Sequence, residues 1–339
     1  MPARDSVLAR ILRVEGVPIT AVLLVLVALC MVFAPEVFLS YRIYMSFLVS
    51  FSPLLVMAAG LTLLIAAGEI DLSFPSVVAL SGWVLAYCIH EHEAPWLGLI
   101  LALAAGALVG FLNGVVVARL GIPSIIATLA TQFLWGGLTT GFSHGLSYSL
   151  GDIDELALVK LFVDRIGPFP VQCVWALGLT VWLWLVLNRR PFGEHLLFLG
   201  DNVRVAELVG VNTRREKTRA FTLMGVLAAF ASVLLTLENR SFFNTQGGGY
   251  LLYVMAAVFI GGTSVFGGKA SLVGTAVGSY IIAMADAGIV AAGVQGFWVR
   301  AVVGAVLLAA VIGYRFLQSP DQAKARVRLA RTKLGSVDR

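Results

Sequence analysis

The chain has 339 residues, of which 59% are hydrophobic and 13% charged, with a mean hydropathy of +0.92; this excludes an ordinary soluble domain. Its net charge of +5 does not point to nucleic acid, because 19 of the 24 Lys and Arg fall on one side of the topology set out below. The other five are Arg42, Lys160, Arg165, Arg240 and Arg300. Backbone groups in lipid must bond within their own element, and long unbroken apolar runs favour helices over a barrel. The expected class is all-α, a polytopic membrane protein.

Residues 1–16 carry Arg4, Arg10 and Arg13 and read as a cytoplasmic N-terminal segment. The apolar run behind them lacks a small-x-small cleavage site, and Leu29 before Cys30 spoils a lipoprotein signal, so an uncleaved first span is expected. About ten spans account for the pattern: 17–34, 45–67, 74–90, 95–118, 122–142, 170–188, 218–237, 249–267, 270–288 and 297–316. Together, 17–316 form the transmembrane domain and both termini lie in the cytoplasm. Cys30, Cys88 and Cys173 lie in apolar runs and read as small buried hydrophobes.

After the second span comes GEIDLSFPS, Gly68 to Ser76, which places Glu69, Asp71 and Ser73 between apolar runs. Acids at membrane depth are costly, so they are expected in water, at a helix start or against a polar partner, with Asp71 a candidate cap for span three. The turn His90-Glu91-His92-Glu93 resembles a metal cluster, but four consecutive residues do not easily close a tetrahedral site; a solvated turn is expected. Gly106, Gly110 and Gly114 form a continued GxxxG ridge, with Gly137/Gly141 and Gly274/Gly278 repeating the spacing. One long external connection, 143–169, contains the apolar stretch Leu156–Val163, read as a short interfacial helix within a gate, a landing surface or a solvated connector.

The polar island from Asn188 to Arg219 stands between long apolar sequences and holds seven Lys and Arg. Positive charge keeps it cytoplasmic, with the loop proper spanning 189–217. Asp201 or Asn202 is placed to cap a short helix in which Val203, Val205, Ala206, Leu208 and Val209 fall at near-helical spacing before Gly210. Such a helix is either a docking surface for another protein or an amphipathic helix resting on headgroups. A second hinge, GGTSVFGGKAS, begins with Gly261, Gly262 and Thr263. It is not a phosphate loop: Thr263 stands six residues before Lys269, where Gly is needed, and Ala270 follows instead of Ser or Thr. Any ATP chemistry then belongs to another subunit. The basic tail, 317–339, lies at the membrane surface.

Polar residues within spans are candidates for a solute path: Asn113, Thr128, Thr131, Gln132, Thr139, Thr140, Asn244 and Gln246. Each can equally bind helix to helix. Asp286 and Arg300 stand near the external ends of the last two spans, either paired or reaching headgroups. An intramembrane enzyme is a poor reading, because His144 has no evident nucleophile partner. A proton-coupled secondary transporter using Glu69 and Asp71 stays open as a second class.

GLTLLIAAGEIDLSFPSVVALSG (Gly60 to Gly82), FGEHLLFLGDNVRVAELVGVN (Phe192 to Asn212) and AAVFIGGTSVFGGKASLVGTAVGS (Ala256 to Ser279) resemble motifs of the permease subunits of ribose/xylose/arabinose-type ABC importers. NGVVVARLGIPSIIATLAT (Asn113 to Thr131) is a fourth, weaker match. Departures are Glu69 in place of Gly, Phe74-Pro75 in place of Val-Gly, and Ala270 in place of Gly. The first two fall at a hinge beside the path and leave the solute open. The resemblance implies a type II-like importer with ten spans per subunit and two permease subunits, identical or homologous. It also implies two cytoplasmic ATPases that carry ATP and Mg, and a periplasmic solute-binding protein. The membrane would be the bacterial inner membrane, and the cargo a monosaccharide or related polyol; a nucleoside or branched-chain amino acid is the alternative. Gly200, Asp201, Asn202, Ala206, Leu208, Gly210, Val211 and Asn212 would form the ATPase-coupling stretch. Glu69, Asp71, Ser73, Asn113, Thr128, Thr131, Gln132, Gly261, Gly262 and Thr263 are the expected path and hinge residues. No cofactor or metal is expected in this chain. Spans two to five and seven to ten are placed to be inverted repeats.

Overall fold

Proline opens several helices, where its missing N–H costs nothing and its fixed φ suits the first turn. In the computed structural model, which describes residues 16–291 and positions 293, 295, 298, 301, 304, 305 and 308, this holds for five of them. Pro18 lies in the first turn of α1 (Val17–Phe33), Pro35 opens α2 (Pro35–Phe38), and α3 (Tyr41–Ala66) follows. Pro75 lies in the first turn of α4 (Phe74–His92) and Pro95 opens α5 (Pro95–Leu120), followed by α6 (Ser124–Phe142). The long connection contains β1 (Tyr148–Ser149), α7 (Ala157–Phe162), β2 (Arg165–Ile166) and β3 (Phe169–Pro170) before α8 (Val171–Arg189). The polar island folds as α9 (Pro191–Asp201) and α10 (Val203–Leu208) and runs into α11 (Thr213–Glu238). Then come β4 (Ser241–Phe242), α12 (Tyr250–Ile260) and α13 (Leu272–Ala291).

Among the described residues, four helices are long and apolar enough to cross a membrane: α3, α5, α8 and α11. The segment 249–267, read as one span, differs: its helix is 11 residues long and ends at Ile260, and the rest is turns. The tenth expected span, the tail, residues 1–15 and Arg300 lie outside the described residues, as does the side chain of Asp286.

α3 is the axis of the bundle. From Phe51 to Ala66 every residue is buried, Pro53 inside the helix included. The closest helix pair is α5 with α11. A Cβ at Gly106 would strike the Gly225 carbonyl, one at Gly110 the Phe221 carbonyl, and one at Gly114 would lie 2.7 Å from Thr218 Cα. Only glycine permits that approach, so the ridge read from spacing meets its partner on α11. Gly274 and Gly278 play the same part against Gly261 and Ala257, whereas Gly137 and Gly141 have nothing within 4 Å.

The long connection 143–169 is anchored. Leu158 and Phe162 of α7 are buried, with the Phe162 ring 5.3 Å from Trp175 and 5.6 Å from Phe230. β2 and β3 form a small hairpin, and β1 pairs antiparallel with β4, with Tyr148 opposite Phe242. Arg240 adds an ion pair to Asp154 at 2.6 Å. The exposed Glu155 carboxylate accepts from Lys160 Nζ and holds that ammonium above its usual range. The His90-Glu91-His92-Glu93 turn is exposed at the end of α4; His90 lies edge-on to Tyr148 and His92 to Tyr87.

Candidate coupling and hinge site

The break after α3 is held by hydroxyls of α6. Ser124 Oγ accepts from Ile70 N at 3.3 Å and Thr128 Oγ1 from Leu72 N at 2.9 Å, while Thr128 donates to Ser124 O at 2.7 Å. An unpaired buried amide costs about 1–3 kcal/mol, so these two side chains supply the partners that a broken helix lacks. Gly68 turns the chain at φ +78, a left-handed conformation natural to glycine.

The acids of this hinge are engaged. Glu69 Oε1 accepts from Lys217 Nζ of α11 at 2.5 Å. Asp71 is 1% exposed, and its Oδ1 accepts from both Ser73 N (2.7 Å) and Ser73 Oγ (2.6 Å). Asp71 is therefore not the cap of α4. Ser73 occupies that position, and Asp71 steadies the turn before it. Asn113 of α5 donates through Nδ2 to Ser73 Oγ at 2.7 Å, which extends the chain Asn113–Ser73–Asp71 across two helices. Among the described residues Asp71 Oδ2 and Asn113 Oδ1 have no partner.

The second hinge is built on similar terms. Gly262 adopts φ +92, Gly267 +84 and Gly268 +72. Thr263 is buried and accepts through Oγ1 from Ser271 N at 3.2 Å. Gly261 crosses α13 so closely that a Cβ there would lie 2.5 Å from Thr275 N. Thr275 in turn shares a hydrogen bond of 2.8 Å with Thr62 of α3, both fully buried.

The two hinges meet. Gly268 N donates to Ala66 O, the end of α3, at 3.0 Å. Gly200, near the end of α9, lies against both: a Cβ there would collide with the Ala66 carbonyl and the Gly268 amide. A Cβ at Gly267 would lie 2.9 Å from Gly200 Cα and 3.0 Å from Gly68 Cα. Hinges that lie some 200 positions apart in sequence thus share one seat, and the polar island provides its third wall.

From that seat the chain runs into α10. Asn202, not Asp201, is the cap: its Oδ1 accepts from Arg204 N (3.0 Å) and Val205 N (3.2 Å). Asp201 instead packs by its backbone near Gly268. Ala206 is buried, and Val211 is buried with its N–H on Ala206 O at 3.0 Å. Gly210 turns at φ +87. Asn212 caps α11 by accepting from Arg215 N at 3.0 Å. The apolar face points outward instead of into the bundle: Leu208 is 87% exposed, Val209 65% and Val205 50%.

Other expected path residues do not join this cluster. Thr131 bonds within its own helix to Thr128 O at 3.2 Å, and Gln132 Oε1 has no partner among the described residues. Thr140 meets Asn244 at 3.2 Å. Gln246 donates to Ser232 Oγ (3.1 Å) and Thr236 Oγ1 (2.9 Å) beside Gly82. The sequence reading missed Ser124, Lys217, Gly267 and Gly268; only the paired glycines carried a local signal, the double Gly before Lys269.

Buried helices interrupted by glycine turns, polar side chains that satisfy those breaks and an apolar knob exposed outside the bundle define a membrane permease. The chain belongs to the family described as branched-chain amino acid transport system / permease component, whose match covers residues 43–311. It is 32% identical over 292 residues to the ribose import permease protein RbsC of Escherichia coli strain K12, covering 86% of this chain and 90% of that one. The ribose import permease protein of Haemophilus influenzae is 30% identical over 297 residues, 87% of this chain and 91% of its own. The autoinducer 2 import system permease protein LsrD of Salmonella paratyphi B is 26% identical over 262 residues, 76% and 79% respectively.

Proposed function

We propose that the chain is the permease subunit of an ATP-driven importer that moves a monosaccharide or related polyol by alternating access. The solute class rests on relatives named for ribose and autoinducer 2 import. In this reading about ten spans lie in the bacterial inner membrane with both termini cytoplasmic, and the island 189–217 faces the cytoplasm. Two ATPase subunits carry ATP and Mg, a second permease subunit completes the path, and a periplasmic binding protein delivers solute.

The observation that carries the mechanism is the seat of Gly200 between Ala66 and Gly268. The exposed Val205, Leu208 and Val209 dock in an apolar ATPase groove. Closure of the ATPase pair pushes on α10, α9 moves with it, and Gly200 bears on the ends of α3 and the second hinge together. Two helix breaks then shift as one, the kind of bistable rearrangement that alternating access requires. The acids that a proton-coupled mechanism would use are each engaged, Glu69 by Lys217 and Asp71 by Ser73.

Burying Leu208 in a groove contributes about 2 kcal/mol, and a carboxylate in its place costs more because it enters unpaired. Leu208→Asp is expected to leave membrane insertion intact, because the side chain is outside the bundle. Co-purification with the ATPase and solute-stimulated hydrolysis should fall together. Full retention of both would reduce α10 to a helix lying on headgroups.

A further inference from the structure

Between the Arg119 end of α5 and the first turns of α11 lies a groove of about 810 Å3. Four arginines, Arg119, Arg214, Arg215 and Arg219, are among the residues that line it. Arg219 is shared with Glu216 at 3.3 Å, but Arg119, Arg214 and Arg215 form no ion pair among the described residues. Glu216 is buried and also contacts His195, so it offsets Arg219 and leaves the other three arginines unpaired by it. The first turns of α11 are also the positive end of that helix, where added cations gain nothing from the helix itself.

The floor has the opposite character. Phe111 lies two turns before Arg119 on α5, and Val226 lies two turns beyond Arg219 on α11. At 1.5 Å per residue each is about 10–12 Å along its helix from that arginine. The change from cationic to apolar is therefore repeated on both walls, and both walls are helices long enough to span a membrane. A free anion uses only the arginines, and an acidic protein surface has no reason to enter an apolar slot. A ligand with a phosphate at one end and hydrocarbon at the other fits both.

We infer that this groove holds one anionic phospholipid, its phosphate between Arg119, Arg214 and Arg215 and the start of an acyl chain along Phe111 and Val226. Position, charge and polarity gradient agree with the chemistry by which basic pockets between spans recognise acidic headgroups. The bound lipid fixes the first turns of α11 against α5, next to Lys217 and the hinge that it holds.

The test uses the full chain purified in detergent and native mass spectrometry with phosphatidylglycerol or chain-matched phosphatidylcholine, and inorganic phosphate as competitor. One retained phosphatidylglycerol is expected in preference to phosphatidylcholine, undisturbed by millimolar phosphate. Arg119→Gln with Arg215→Gln should weaken retention by about 25-fold, at about fivefold per arginine. Val226→Trp fills the floor and should weaken it with every arginine in place. Equal retention of the two lipids overturns the assignment. So does displacement by phosphate, which marks a simple anion site. Unchanged phosphatidylglycerol retention in the arginine variant also overturns it, and leaves an acidic protein surface as the partner of these arginines. If the arginine variant fails to fold, unchanged retention in Val226→Trp alone refutes the proposal.

Discussion

Lys217 and Glu69 are largely withdrawn from solvent, with 18% and 11% of their side chains exposed. Removing one member of such a pair leaves the other charge unmatched in a poor solvent, which costs about 3 kcal/mol. Glu69→Gln should therefore lower the thermal midpoint in detergent, and adding Lys217→Met should recover most of the loss. Recovery is the informative result: it assigns Glu69 to holding the hinge. Uptake by the chain alone under a proton gradient, abolished in Glu69→Gln, would instead make Glu69 a proton carrier. At this scale the sequence was half legible. Glu69, Asp71 and Ser73 stand out as polar residues between apolar runs, and the structure bonds Asp71 through Ser73 to Asn113, and Glu69 separately to Lys217. Their partners did not stand out, because Lys217 is 148 positions from Glu69 and Thr128 is 56 from Leu72. A hydroxyl that serves a distant backbone looks, in sequence, like any other threonine of an apolar helix.

Between elements, spacing announced close approach but not its object. Gly106, Gly110 and Gly114 press against α11, while the identical spacing at Gly137 and Gly141 meets nothing within 4 Å. The short α12 was hidden for a related reason. Nothing in the hydropathy of 249–267 shows that Gly261 must pass Gly274 at backbone distance. The same rule gives the sharpest expectation for the transport cycle. Gly200→Val places a branched side chain where the Ala66 carbonyl and Gly268 amide already stand, and relief costs about 1–3 kcal/mol of strain. The exposed apolar residues of α10 lie beyond the altered seat. The variant should keep its ATPase and still hydrolyse ATP, with uptake reduced at least tenfold. Uptake at the original rate would show that the seat transmits no motion.

For the whole molecule, the orientation proposed from the basic excess is open to a direct test. On a background without Cys30, Cys88 and Cys173, Val205→Cys should react with an impermeant maleimide only after the membrane is opened from the cytoplasmic side. Asp154→Cys should react from outside. Both positions are suited to the measurement, since Val205 is 50% exposed and the Asp154 side chain 53%. External labelling at position 205 would invert the arrangement and remove the ATPase from α10.

The pairing of β1 with β4 has a consequence in time. Tyr148 and Ser149 leave the ribosome roughly ninety residues before Phe242 and Ser241, which at 5–20 residues per second is about 5–20 s. Over that interval β1 has no strand to lie against, and Asp154 has no Arg240. A segment made before the middle of the chain is thus among the last to settle. It stays unclosed until α11 and β4 have been made, and its closure marks a chain whose second half has arrived.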